Sequence, residues 1–431
     1  MDKRGQIALA LLAVATLAGI CMAAPASAIT LEESVEMALS RSESAALVEE
    51  GTRAMRAGAR AEASEFWPHV GLDAGYYSLG TNAEPNPFIP MPDQQYEAAL
   101  NASQLLWAGG RVSKGFRLKS AVDAKAELTG RIGLGALRYR VASMYYGVLF
   151  SRARMGVLGD RVEQREQEMA DAEALGRAGV AAPLDVRQAA LSLSMARDAL
   201  LEGELGYRQA LVDFNIELGN VSLGEEGLLT PEGELGRADG LAHTLSSLSQ
   251  GLEEESLPEI RLSGLELKEA GLRLAMEKGR WFPELRAVAS AGTSGEEASA
   301  MYESWMAGIN LKFDFYDGGL RGAKRAGARA GERRAGQELE RTRKTVAGRV
   351  LSMRMRSTAL DERIRLRTEA VAMAEENYSD ARAQYRAGLI TLTSLGEFNL
   401  ALAEARLGLL HLYLDEQALM SEAALLMGST R

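Results

Sequence analysis

Three histidines, His69, His243 and His411, and one cysteine, Cys21, are the side chains best suited to hold a transition metal, and they stand isolated from one another. That isolation argues against a structured metal site. Serines are frequent, yet none sits in the Gly-x-Ser-x-Gly setting of a nucleophile elbow. Gly133-x-Gly135 is too short for a dinucleotide fingerprint and lies inside a helical run. These groups point to passage or packing rather than catalysis, and neither an enzymatic activity nor a cofactor is expected.

The charge balance narrows the partners. Lys+Arg 49 against Asp+Glu 59 gives a net charge of −10, which argues against nucleic acid. The basic run from Arg321 to Arg334 reads as the solvated face of a helix. Residues 1–28 read as a secretory signal: Lys3 and Arg4 open it, Ile7 to Cys21 is its apolar segment, and Ala26-Ser27-Ala28 is an A-x-A cleavage site. Cleavage there removes Cys21, and Ile20 just before it fits a lipoprotein signal poorly. An exported chain without thiols must gain its stability from packing or oligomerisation.

The elements that organise the chain are amphipathic strands. In Trp305 to Gly319, apolar Trp305, Ala307, Ile309, Leu311, Phe313 and Phe315 alternate with Gly308, Asn310, Lys312 and Asp314. This is a strand with one apolar and one polar face, about 10 residues long, enough for a tilted strand to cross a bilayer. A strand on a water-soluble sheet would read the same way; if this one crosses a bilayer, Leu311 and Phe313 face the lipid and Asn310 and Lys312 the aqueous side. Val70 to Tyr76 and Tyr96 to Leu106 alternate in the same way across a proline-rich loop, Thr81 to Pro92.

The pattern occurs twice. Gly109 and Gly318, Gly179 and Gly388, and Arg197 and Arg406 are each 209 positions apart, which makes the chain an internal duplication. Repeat 1 spans 29–218: a helix ending at Phe66-Trp67-Pro68, a hairpin over 68–108, a long helix over 111–178 and a return helix over 184–218. A connector, 219–256, is rich in Gly, Glu and Ser, with a short helix near Leu241 to Leu248. Repeat 2 spans 257–431: a helix ending at Trp281-Phe282-Pro283, a hairpin over 283–316 with its loop at Gly292 to Glu303, a long helix over 320–385 and a return helix over 391–427. Each long helix would measure about 100 Å. Pro68 and Pro283 cannot continue their helices, and Gly109-Gly110 and Gly318-Gly319 mark the bends from strand to helix. Gly179 and Gly388, in the two Arg-Ala-Gly tips, read as left-handed helix caps. Trp67, Trp107, Trp281, Trp305 and Tyr316 bracket the strands, as an aromatic belt at the two bilayer interfaces would.

The helix–Pro–hairpin unit repeated at Pro68 and Pro283, the Tyr316-Asp317-Gly318-Gly319 junction and the paired tips resemble the TolC family, the outer-membrane factors of tripartite efflux pumps and type I secretion systems. The resemblance covers essentially the whole chain after residue 28. It implies a membrane α+β fold in which two β-hairpins, four strands, join a homotrimeric 12-stranded outer-membrane β-barrel continued by a long periplasmic α-helical barrel. It places the connector in a collar around the helices and the protein in the outer membrane of a Gram-negative-type bacterium. The expected partners are outer-membrane lipid, a periplasmic adaptor (membrane fusion) protein and an inner-membrane pump of the RND, ABC or MFS type.

The resemblance also assigns sites. The tips Arg177, Gly179 and Val180, and Arg386, Gly388 and Leu389, would meet the adaptor. Tyr385 matches a family tyrosine at the gate of the closed tunnel, but the family's arginine and first aspartate are replaced by Ile390 and Ser394. Glu397 stands at the second aspartate position, and Asp185 of repeat 1 is a further candidate for an acidic constriction. A soluble periplasmic coiled-coil scaffold without channel activity is the competing reading, to be separated by arginine at Leu311 and Phe313.

Overall fold

The computed structural model describes residues 28–78, 94–220, 227–297 and 299–428. The secretory signal up to residue 27 and the proline-rich loop from Thr81 to Pro92 lie outside the described residues. The elements in order are β1 (Ala28–Ile29), α1 (Leu31–Arg41), α2 (Glu43–Ser64), β2 (His69–Ser78), β3 (Gln94–Trp107), α3 (Arg111–Arg177) and α4 (Pro183–Glu217). They continue with β4 (Thr230–Pro231), α5 (Leu241–Glu253), α6 (Pro258–Gly279), β5 (Glu284–Glu297), β6 (Ala300–Lys312), α7 (Leu320–Arg386) and α8 (Leu392–Met427). No described helix is long and apolar enough to cross a membrane.

Contacts divide the chain into two compact units that cut across the sequence repeats. One comprises residues 48–132 and 251–348 and holds a four-stranded antiparallel sheet in the order β2-β3-β5-β6. Hairpin 1 and hairpin 2 are joined through β3 and β5, which leaves β2 and β6 as the edges. Transverse rows alternate in chemistry across the sheet. Val70, Ala102, Ala289 and Ala307 form one row, and Leu72, Leu100, Ala291 and Trp305 the next, all apolar. The rows on the opposite face include Gly71, Asn101, Ser290 and Met306, then Asp73, Ala99, Gly292 and Ser304. Asn101 Nδ2 donates to Asp73 Oδ2 at 2.6 Å on that polar face.

Two expectations about hairpin 2 need correction. Gly292 to Glu303 is not a loop: β5 runs on to Glu297, and β6 begins at Ala300. The residues there are turn formers by type, but Gly292, Thr293 and Ser294 are held between Ala99, Ala98 and Glu97 on one side and Ser304, Glu303 and Tyr302 on the other. Pairing on both sides overrides weak strand propensity. At its other end β6 stops at Lys312, so Phe313 lies beyond the strand and meets Phe315 edge-on at 4.9 Å between ring centroids.

The second unit comprises 133–250, 349–431 and the chain up to Leu47. Thr30 starts α1 through a capping box: Glu33 N donates to Thr30 Oγ1 at 3.3 Å, and Thr30 N to Glu33 Oε2 at 2.9 Å. Ser42 breaks the helical run and caps α2 by accepting from Ala45 N at 3.2 Å. The core gathers Leu137, Val141, Tyr145 and Val148 of α3 with Leu211 and Phe214 of α4 and Ile29 of β1. β1 pairs in parallel with β4, and Glu232 N donates to Ile29 O at 2.9 Å. The connector thus binds the first residues after the A-x-A site. Arg237 fastens it further, ion-pairing with the buried Glu416 at 2.7 Å and with Asp361.

Candidate functional site

The sheet supplies the first part of the site. On its apolar face Leu72, Trp305, Ile309 and Leu311 are each more than two-thirds exposed, and Val70 nearly so. Large apolar groups left open on β2, β3 and β6, with only alanines exposed between them on β5, do not make a water-facing surface. This face fits lipid, with the polar face turned to an aqueous lumen. Trp67 meets Phe116 edge-on at 5.8 Å, Trp107 meets Phe282 at 6.0 Å, and Trp281 lies under the Arg321 guanidinium at 5.2 Å. Pro68 lies between the end of α2 and the start of β2, and Pro283 between α6 and β5. Tyr316, beyond the end of β6, is 87% exposed.

The strand-to-helix bends are built alike. Gly109 and Gly110 have φ of 60° and 76°, Gly318 and Gly319 of 67° and 85°, a conformation open to glycine and costly for other residues. At the second bend the Asp317 carboxylate accepts from Gly319 N at 3.1 Å, from Arg321 N at 2.9 Å and from Arg321 Nε at 2.8 Å. Desolvation opposes the charged form there, but the bonds from Arg321 outweigh it and hold the carboxyl below the usual carboxylate range. At the first bend Arg111 is buried and joins the two repeats, pairing with Glu65 at 2.9 Å and with Glu284.

Both helix tips end in the same hydrogen-bond pattern. Val180 N donates to Leu175 O and Gly179 N to Gly176 O; Leu389 N donates to Gln384 O and Gly388 N to Tyr385 O. With Gly179 at φ 75° and Gly388 at φ 74°, each is a Schellman cap. Val180 and Leu389 project from these caps, well exposed. Among the described residues Arg177 ion-pairs only with the half-buried Glu173, at 3.8 Å, whereas Arg386 lies 3.3 Å from Asp171, which also takes Arg382 at 3.0 Å.

The four candidate constriction residues do not form one cluster. Asp185 and Ser394 occupy equivalent places in the first turns of the return helices, where both serve the cap: Ala182 N donates to Asp185 Oδ2 at 3.0 Å, and Ser394 N to Thr391 Oγ1 at 3.2 Å. Glu397 is exposed. Tyr385 is buried with Tyr378, Ala381, Leu392 and Leu395, so in this conformation of the chain it is a core residue rather than a lining one. Burial, and then the negative charges of Asp185, Asp171 and Glu168, push its hydroxyl pKa up. That hydroxyl has no hydrogen-bond partner among the described residues.

Sequence reasoning missed a buried polar group in the same unit. Arg165 Nη1 donates to Glu168 Oε2 at 2.6 Å, while Tyr378 Oη and Asn399 Nδ2 each donate to Glu168 Oε1 at 3.1 Å. Arg165, Glu168 and Asn399 are all buried. The signal was present as Arg161, Arg165, Glu168 and Ala172, spaced 4, 3 and 4 along one helical stripe, where apolar residues would be the norm.

A sheet with one lipid-type face, bent through paired glycines into long helices that turn at twin capped tips, defines a subunit of an outer-membrane channel. The sequence profile of the outer membrane efflux protein family matches residues 35–219 and 252–426, and the chain belongs to that family. No curated relative matches the sequence. Among solved structures it is similar to a membrane protein from Pseudomonas aeruginosa, with 20% identity, TM-score 0.80 and coverage of 93% of this chain and 90% of that one. VceC from Vibrio cholerae is 16% identical, with TM-score 0.76 and coverage of 92% and 95%. MtrE of Neisseria gonorrhoeae, solved in its open state, is 16% identical, with TM-score 0.74 and coverage of 93% and 89%.

The protein is an export duct of an efflux system, sited in the outer membrane with a large periplasmic helical tunnel. Members of the family are trimeric channels that work with efflux machinery. The strand order agrees with this. Four strands cannot close a barrel, and an open edge in lipid strands its backbone groups. With β2 and β6 as the edges, a ring closes when β2 of each subunit pairs with β6 of the next.

Proposed function

We propose that this duct is passive and that its periplasmic tips are opened by an adaptor coupled to an inner-membrane pump of the RND, ABC or MFS type, in tripartite efflux or type I secretion. The observation that carries this reading is the twin tip: two identical Schellman caps, 209 residues apart, each presenting one exposed apolar side chain, Val180 or Leu389. Rigid caps with open apolar knobs suit docking against a partner's helical hairpin. Arg177 and Arg386 add charge at the rim of the same surface. Asp185 and Ser394 hold the return helices in place, and Glu397, one per subunit, supplies the acidic ring of the constriction. A single such ring binds cations less strongly than two would. Export requires the signal to be removed after Ala28, so that Ile29 leads the mature chain into its pairing with Pro231.

Site-specific cross-linking tests the docking surface. A photoreactive residue at Val180 or Leu389 should capture a co-expressed adaptor, and one at the exposed Leu47 should not. Equal capture from all three positions, or from none, would overturn the assignment.

A further inference from the structure

We propose that the first turns of α7 form a binding site for anionic phospholipid headgroups of the periplasmic leaflet. The site comprises Lys324, Arg325, Arg329 and Arg333, with Arg334 at its far end. The inference rests on the apolar sheet face being the lipid face.

The cations are unusual in two respects. From Arg321 to Arg334 the chain carries six basic residues and one acid, Glu332, in a protein whose net charge is −10. Arg321 is held by Asp317, but Lys324, Arg325, Arg329, Arg333 and Arg334 have no ion-pair partner among the described residues. The other repeat behaves differently at the same place. From Arg111 to Lys125 of α3 most cations are engaged: Arg111 pairs with Glu65 and Glu284, Lys119 with Asp123, and Lys125 with Glu266 and Glu269, while Lys114 donates to Ala275 O and Arg117 alone is left without either kind of partner among the described residues.

Position favours lipid as that anion. β6 ends at Lys312 and α7 begins at Leu320, only a short bend later. That bend carries Phe315 and Tyr316, both almost fully exposed, of which Tyr316 is of the interfacial type. Clusters of Lys and Arg immediately beside a membrane span attract anionic headgroups within about one Debye length, ~8 Å. At about 1.5 Å per residue Lys324, Arg325 and Arg329 fall within reach of that layer, and Arg333 and Arg334 lie progressively deeper in the periplasm. Among the small residues Gly322, Ala323, Ala326, Gly327 and Ala328, Lys324 and Arg329 are exposed and Arg325 is half-buried; Arg333 and Arg334 are exposed further along.

The test uses the full-length trimer in an uncharged detergent, exposed to equal amounts of phosphatidylglycerol and phosphatidylcholine, with retained lipid counted by native mass spectrometry. The wild type should retain phosphatidylglycerol preferentially, and added salt should weaken that preference. Lys324→Gln, Arg325→Gln, Arg329→Gln and Arg333→Gln together should reduce it on the order of a hundredfold, at about fivefold per cation near the surface, with Arg333 contributing least. Arg363→Gln with Arg367→Gln, elsewhere on α7, should leave it unchanged. An unaltered preference in the fourfold variant overturns the proposal. So does loss of the trimer without lipid, which would mean that these cations pair with the neighbouring subunit. Single-channel conductance in phosphatidylcholine bilayers reads the duct itself, so a failed lipid site and a failed channel assignment give different results.

Discussion

Arg165 donates to Glu168 at 2.6 Å with both side chains excluded from water. They lie one helical turn apart on α3, and Tyr378 of α7 and Asn399 of α8 complete the shell around the carboxylate. Breaking a buried pair from one side is far more damaging than never having it, because the remaining charge stays desolvated. Arg165→Ala should therefore cost about 3–5 kcal/mol, while Arg165→Met combined with Glu168→Gln, which removes both charges and keeps the volume, should cost less. Denaturant titration of the purified trimer, read by tyrosine fluorescence, separates the two. Similar losses for both variants would contradict the assignment of the pair as the stabilising contact.

The same carboxyl sets a pH dependence. Burial pushes the Glu168 pKa up, outweighing the opposing pull of Arg165, Tyr378 and Asn399. The native state then holds the proton to higher pH than the unfolded chain does. Stability attributable to this group is fully present below the unfolded carboxyl pKa and is lost as pH rises through the folded one. Wild-type stability should decline across the window just above the ordinary glutamate range, and Glu168→Gln should flatten that slope. A slope of opposite sign would show the ion pair, rather than desolvation, to be in control.

The glycine bends offer a graded comparison. A Cβ at Gly318 meets nothing within 4 Å, so Gly318→Ala pays only for the left-handed backbone, about 1–2 kcal/mol. A Cβ at Gly109 would lie 2.3 Å from the Gly279 carbonyl and 2.9 Å from Phe282, and those atoms are backbone and ring carbons that cannot swing aside. Gly109→Ala should thus lower the yield of folded trimer much more than Gly318→Ala, as measured by heat-modifiable migration on gels. Equal yields would mean that the two bends are not packed as differently as their surroundings indicate.

Arg111 tests whether the two hairpins depend on one cation. Its guanidinium forks to Glu65 before hairpin 1 and Glu284 at the start of hairpin 2. Lysine keeps the charge but cannot present two divergent donors in a plane. Arg111→Lys should lower the temperature at which trimers dissociate by nearly as much as Arg111→Ala, and full rescue by lysine would show that charge alone suffices there.

What was legible in the sequence was whatever backbone chemistry dictates. Gly318-Gly319 and the Gly179 and Gly388 tips could be placed because positive φ selects glycine, and Pro68 and Pro283 because proline ends a helix. The length of β5 could not be read, since Gly292, Thr293, Ser294 and Gly295 have turn character and become strand only through partners nearly two hundred residues away. The burial of Tyr385 and the capping roles of Asp185 and Ser394 were hidden for a related reason. Residue type was correct at each position, but the direction of each side chain is a tertiary property. Arg165 and Glu168 have the i,i+3 spacing of an ordinary solvated helix pair, and only the contacts from Tyr378 of α7 and Asn399 of α8 make them a buried one.

The end of β6 at Lys312 sharpens the test of the lipid face. Ile309 and Leu311 lie on the apolar rows, opposite Ala287 and Leu285, and are open on that side. Arginine there would have to enter hydrocarbon, at about 2–4 kcal/mol per site near the midplane and less toward the interface. Asn310, between them, faces the polar side with Arg286 as its neighbour. Phe313 lies past the strand, packed on Phe315. Ile309→Arg and Leu311→Arg should therefore block assembly in the outer membrane, Phe313→Arg should be milder, and Asn310→Gln should be tolerated. Membrane fractionation with trimer detection orders the four. If Asn310→Gln proved as harmful as Ile309→Arg, the two faces of the sheet would have been assigned the wrong way round.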